Sequence, residues 1–152
     1  MDEALALYTE SMRIKEMKLG RESLDVAMSM VNIAEMRENQ GEHEEAGAMY
    51  EEALRIQVLK LGRDSLDVAD TLNNVAAVKS LLGRYHESQA AYNDALRIQE
   101  AKLGHDCMAV AGTLNNSAGM NAIFGQYAPA EIMYRDALRI YLLKLGPDST
   151  QV

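Results

Sequence analysis

Apolar residues along this chain fall at helical rather than strand spacing. In the middle of the chain Leu66, Ala69, Leu72, Val75 and Ala76 recur every three or four residues, which puts them on one side of a helix. Asp64 and Ser65 just before them offer N-cap oxygens, and Asp67 sits in the first turn, where the helix dipole favours an anion. Gly83 marks the predicted end. A second stripe starts at about Tyr85 and runs through Ala91, Tyr92, Ala95, Leu96, Ile98 and Leu103. Lys102 lies near its negative end, and Gly104 is expected as a left-handed stop. The predicted unit is a helical hairpin.

The hairpin recurs. Ala53-Leu54-Arg55-Ile56 returns as Ala95-Leu96-Arg97-Ile98 and as Ala137-Leu138-Arg139-Ile140, a constant step of about 42 residues. The same step relates Tyr8, Tyr50, Tyr92 and Tyr134, and the Leu-Gly pairs ending at Gly20, Gly62, Gly104 and Gly146. The expected organisation is one array over 1–152: a half-repeat at 2–19, repeats at 22–61, 64–103 and 106–145, and the start of a further repeat at 147–152. A single hairpin cannot bury its apolar stripe, so copies must stack into a superhelix with a concave and a convex face. The fold class is therefore all-α, an α-solenoid of antiparallel hairpins. Ala34, Ala76, Ala118, Ala53, Ala95 and Ala137 are the expected close crossings, with Tyr50, Tyr92 and Tyr134 as larger plugs. Polar capping helices are missing, which suggests a fragment of a longer protein or ends that pair with other copies.

Composition supports a packed, soluble array. Hydrophobic residues make up 48% and charged residues 25%, near globular averages. The formal charge of −8 opposes binding to nucleic acid or to an anionic membrane, both of which need Lys and Arg. No apolar run approaches the ~18 residues of a membrane span, and the first residues are acidic where a signal peptide would be basic. Cys107 is the single cysteine, which rules out an intramolecular disulfide and a Cys-based zinc site; a cytoplasmic setting is expected.

Candidate chemistry is sparse. His43, His86 and His105 fall in predicted turns without partners at metal-ligand spacing, and every Gly-containing segment serves a hairpin stop rather than a phosphate loop. Cys107 occupies the repeat phase of Ser23 and Ser65 at a helix start. No nucleophile, base and orienting group recur together, so no enzyme activity, metal or cofactor is expected. Met30, Met36, Met49 and Met133 fall near packing positions and read as core filler.

Thr71-Leu72-Asn73-Asn74-Val75-Ala76, followed by Gly83, Tyr85, Tyr92, Ala95-Leu96, Ile98 and Leu103-Gly104, resembles the long tetratricopeptide repeat of kinesin light chains. Thr113-Leu114-Asn115-Asn116, Gly125-Gln126-Tyr127 and Leu145-Gly146-Pro147-Asp148 extend the resemblance. Departures exist: Arg37, Lys79 and Asn121 stand where that family usually has Tyr, Ser88 replaces an Ala, and Val31-Asn32 replaces the Asn pair. The resemblance implies a right-handed superhelix, a protein-binding role, and a concave groove lined by the first helix of each hairpin.

On those first helices Asp70, Asn73, Asn74, Ala77 and Ser80 share a side opposite the packing stripe, and the repeat step adds Met28, Asn32, Glu35, Glu38, Asn115, Asn116 and Gly119. A ladder of Asn32, Asn74 and Asn116 could clasp the backbone amides of an extended peptide, or could tie neighbouring helices together. The tryptophan-acidic peptides associated with kinesin light chains call for a basic groove. Here Glu35, Glu38 and Asp70 dominate, with Arg37 and Lys79 near the edge, so a neutral or basic peptide fits better. The expected partner is a protein or peptide; the alternative is a repeat that self-assembles end to end.

Overall fold

The computed structural model describes residues 2–146. The stretch 147–152, expected to begin a further repeat, lies outside them. Seven α-helices and no strand occur among the described residues: α1 Asp2–Leu19, α2 Leu24–Asn39, α3 His43–Leu61, α4 Leu66–Leu81, α5 Tyr85–Leu103, α6 Met108–Ile123 and α7 Tyr127–Leu145. Starts and stops follow the sequence closely. The Ser23 hydroxyl accepts from the Val26 N–H at 3.2 Å and the Ser65 hydroxyl from the Val68 N–H at 3.1 Å, each satisfying a donor that the first helical turn leaves free. Cys107 holds the same place on α6 but makes no side-chain cap bond.

Two kinds of glycine end the helices. Inside a hairpin, Gly83 has φ +76°, its N–H bonds the Ser80 carbonyl at 3.0 Å, and the next N–H, of Arg84, reaches the Lys79 carbonyl at 2.8 Å. That pair of bonds is a Schellman motif, which turns the chain back within a few residues. Between hairpins Gly104 departs from the expected left-handed stop: φ is +81° but ψ is 163°, an extended conformation open essentially to glycine alone. The chain leaves straight because it must cross to the next hairpin instead of folding back on its own helix. A glycine in the sequence announces the positive φ and leaves ψ open.

The pairs α2–α3, α4–α5 and α6–α7 form antiparallel hairpins, and each second helix packs on the first helix of the next unit, as α1 does on α2, α3 on α4 and α5 on α6. Ala34, Ala76 and Ala118, with Ala53, Ala95 and Ala137, are all buried at these crossings. A Cβ on Gly47 would lie 2.9 Å from Cγ1 of Val78, so α3 and α4 meet with almost no space between them. Ile56, Ile98 and Ile140 are fully buried at matching positions and each contribute about 2 kcal/mol of transfer free energy. Tyr50 is 0% exposed and Tyr92 4%, whereas Tyr134 is 42% exposed because α7 has no following helix among the described residues. Ser88, the departure from Ala, donates its buried hydroxyl to the Ala76 carbonyl at 2.7 Å and so pins α5 to α4.

On the outer side Arg55, Arg97 and Arg139 each reach back 33 positions to an acid in the preceding turn, to Glu22 at 3.0 Å, Asp64 at 3.0 Å and Asp106 at 2.6 Å. These pairs are exposed and screened by solvent, so they fix the turn more than they stabilise the fold.

Two substitutions report on this packing. Ala95→Arg should cost more than about 3 kcal/mol, through overpacking and a buried unpaired charge, and lower the thermal midpoint by roughly 10 °C; a melt unchanged from the natural chain would refute the assigned crossing. Cys107→Ser should restore the missing cap on α6 and raise stability by about 0.5–1 kcal/mol in a denaturant titration.

Candidate protein-binding groove

Among the described residues, two hollows lie between consecutive first helices. The first hollow, a cavity of about 200 Å³, lies between α2 and α4; Met28, Val31, Asn32 and Glu35 line it from α2, Asp67, Asp70, Thr71 and Asn74 from α4, and Gln57 of α3 closes its floor. The second, of about 430 Å³, lies between α4 and α6, with Ala77, Ser80 and Leu81 on one side, Asn115, Asn116, Gly119 and Met120 on the other, and Tyr92 and Tyr134 beneath. Sequence reasoning put Asn32, Glu35, Asp70, Asn74, Asn115 and Asn116 on one face; the structure gathers the first four in one hollow and the last two in the other.

The hollows differ in charge. Glu35, Asp67 and Asp70 make the first acidic, and burial, with the Asp67 carboxylate nearby, holds the Asp70 carboxyl above the ordinary aspartate range. The second has no charged lining residue, and α6 carries no charged side chain along its whole length. Gly119 stands at the repeat phase of Ala77 and Glu35, which leaves the α6 side of the second hollow open.

The floor is a polar ladder where each second helix meets the next first helix. At the start Lys15 of α1 donates to the Ser29 hydroxyl of α2 at 3.1 Å. Two repeats on, the Thr113 hydroxyl donates to Gln99 Oε1 at 2.7 Å and accepts from Asn73 Nδ2 at 3.1 Å. The middle rung is incomplete: Val31 stands at the phase of Asn73, and Gln57 Oε1, buried at the phase of Gln99, has no hydrogen-bond partner. Sequence reasoning missed Gln57; its recurrence with Gln99 and Lys15 at the repeat step was the available signal.

Asn73 and Lys79 are used elsewhere. Asn73 spans from α4 to Thr113 of α6 and lines neither hollow. Lys79 is 8% exposed, and its ammonium pairs with Glu51 of α3 at 2.7 Å and Glu87 of α5 at 2.9 Å, which keeps it out of both hollows. By contrast the side chains of Asn32, Asn74, Asn115 and Asn116 make no hydrogen bond among the described residues. The sequence pair Asn73-Asn74 thus divides into one helix tie and one free amide.

A family model described as tetratricopeptide repeat matches residues 1–58 and 67–142, nearly the whole array. The chain belongs to the tetratricopeptide repeat family. Among solved structures it superposes on BtubC (BKLC) from P. vanneervenii with a TM-score of 0.87 at 24% identity, covering 98% of this chain and 59% of that one. A candidate kinesin light chain of Podosopora anserina, with nearly identical TPR-like repeats, gives 0.77 at 18% identity over 97% of this chain and 69% of that one. A glutamine-to-methionine form of the same Podosopora anserina protein gives 0.79 at 18% identity, over 95% of this chain and 68% of that one. At these identities the likeness concerns the fold. No curated protein matches the chain. Tetratricopeptide repeats mediate contacts between proteins, and no helix among the described residues is long and apolar enough to cross a membrane.

The division between the two asparagines is testable. Asn73→Ala should lower stability by about 1 kcal/mol, because it removes one bond to a buried hydroxyl, while Asn74→Ala should leave the melt within about 0.5 kcal/mol of the natural chain. Equal losses at both positions would contradict the geometry.

Proposed function

We propose that this chain is a non-enzymatic protein-interaction module that holds an extended peptide along the face formed by α2, α4 and α6. One observation carries the reading: amide side chains at a constant repeat phase, Asn32, Asn74 and Asn116, line two hollows and make no hydrogen bond among the described residues. A primary amide carries a donor and an acceptor, the same pair a peptide backbone offers, so such a row holds main chain with little regard to sequence. The asparagine that does serve the fold, Asn73, is satisfied by Thr113, so the free ones are not needed as helix ties. The acidic first hollow favours neutral or basic peptides, and the setting proposed is cytoplasmic.

A second reading has its own support. Leu7 and Met17 on α1 are 67% and 75% exposed, and Ile132 and Leu143 on α7 are 69% and 61% exposed, so both ends of the array present apolar surface that could join copies end to end.

Affinity capture with mass spectrometry, using the double variant Asn74→Ala/Asn116→Ala as control, separates the two when combined with light scattering. The groove reading expects partners retained by the natural chain and lost with the variant, and a mass near 16.8 kDa at every concentration. Open-ended growth of the protein alone, with capture indifferent to the variant, would favour self-assembly.

A further inference from the structure

Gln57 points to what the first hollow binds, an inference that rests on the peptide-groove reading. Its side chain is 4% exposed, it faces the α2–α4 hollow, and its Oε1 is buried without a donor. The same oxygen of Gln99, one repeat later, is met by the Thr113 hydroxyl, which Asn73 holds in place. In the first hollow Thr71 stands at the phase of Thr113 but makes no bond to Gln57, and Val31 replaces the asparagine, so this oxygen is left open to a donor brought by a ligand.

We infer that the α2–α4 hollow seats the guanidinium of an arginine in the bound peptide, with Gln57 Oε1 as the deep acceptor and Asp70 and Glu35 as the flanking carboxylates. The lining supplies acceptors and negative charge and no cationic side chain. Met28 and Val31 on the α2 wall offer apolar surface for the methylene stem. Arginine fits better than lysine because its planar fork of five donors can serve a buried amide oxygen and a carboxylate at once, and because it is the more weakly hydrated of the two. A cation there would also stabilise the charged form of Asp70, which burial and Asp67 now disfavour.

Selection of short random peptides displayed on phage, followed by fluorescence anisotropy of synthetic winners, tests this. The expected winners share one arginine whose replacement by citrulline, neutral and nearly isosteric, weakens binding about tenfold or more. Gln57→Met and Asp70→Asn should each shrink that arginine-over-citrulline ratio several-fold while circular dichroism melts stay at or above that of the natural chain. Winners without arginine, or a ratio untouched by both variants, would overturn the assignment and leave the groove standing. If no peptide is selected, or the winners bind Asn116→Ala and Asn74→Ala as well as the natural chain, the groove reading fails and this assignment with it.

Discussion

Everything in this molecule depends on how closely the second helix of one hairpin approaches the first helix of the next. A two-helix unit has apolar surface on both sides, and only the neighbouring unit can cover the far side. Alanine at the crossings and Gly47 against Val78 let the backbones come together, while Tyr50 and Tyr92 fill the gap that remains. Tyr134 shows the same residue without that cover: same phase, same helix type, yet partly open to solvent. Burial in this array is a property of adjacency between units, so each interface can be judged by what its own neighbour supplies.

The groove follows from the same constraint. First helices placed side by side at a fixed step leave hollows between them, and the second helix underneath presents one polar residue, Lys15, Gln57 or Gln99, to the seam. The core phases hardly change from copy to copy, but the groove phases do. Met28 becomes Asp70 and then Gly112; Glu35 becomes Ala77 and then Gly119. A constant scaffold thereby carries an acidic, acceptor-rich end over α2 and α4 and an uncharged, open end over α4 and α6. A ligand that differs along its length has one favourable direction on such a surface.

The helices and their pairing were legible because period, N-cap serines and hairpin glycines agree. Three things were not. Asn73 and Asn74 look alike in sequence, but about 100° of helical rotation separates them and sends only Asn73 toward Thr113. Lys79 projects toward the groove edge on a helical wheel, yet Glu51 and Glu87, on two other helices, draw it inward; no pattern within α4 reveals them. The Arg55, Arg97 and Arg139 clasps were present as a recurring 33-residue spacing to an acid, a signal that core periodicity hides because those residues face outward.

Gln57 is the case where the array breaks its own rule. A buried carbonyl oxygen without a donor costs about 1–3 kcal/mol, and the Gln99 rung shows that one threonine and one asparagine suffice to satisfy it. Beside it the Asp70 carboxyl, exposed at the rim of the hollow but partly desolvated and close to the Asp67 carboxylate, is held above the ordinary aspartate range. One is an unmet acceptor on α3 and the other a carboxylate on α4 that faces a like charge. They have a common remedy: a single group carrying positive charge and several donors relieves both at once. Two features that one chemical species would relieve together are the physical ground on which the hollow is proposed to receive it.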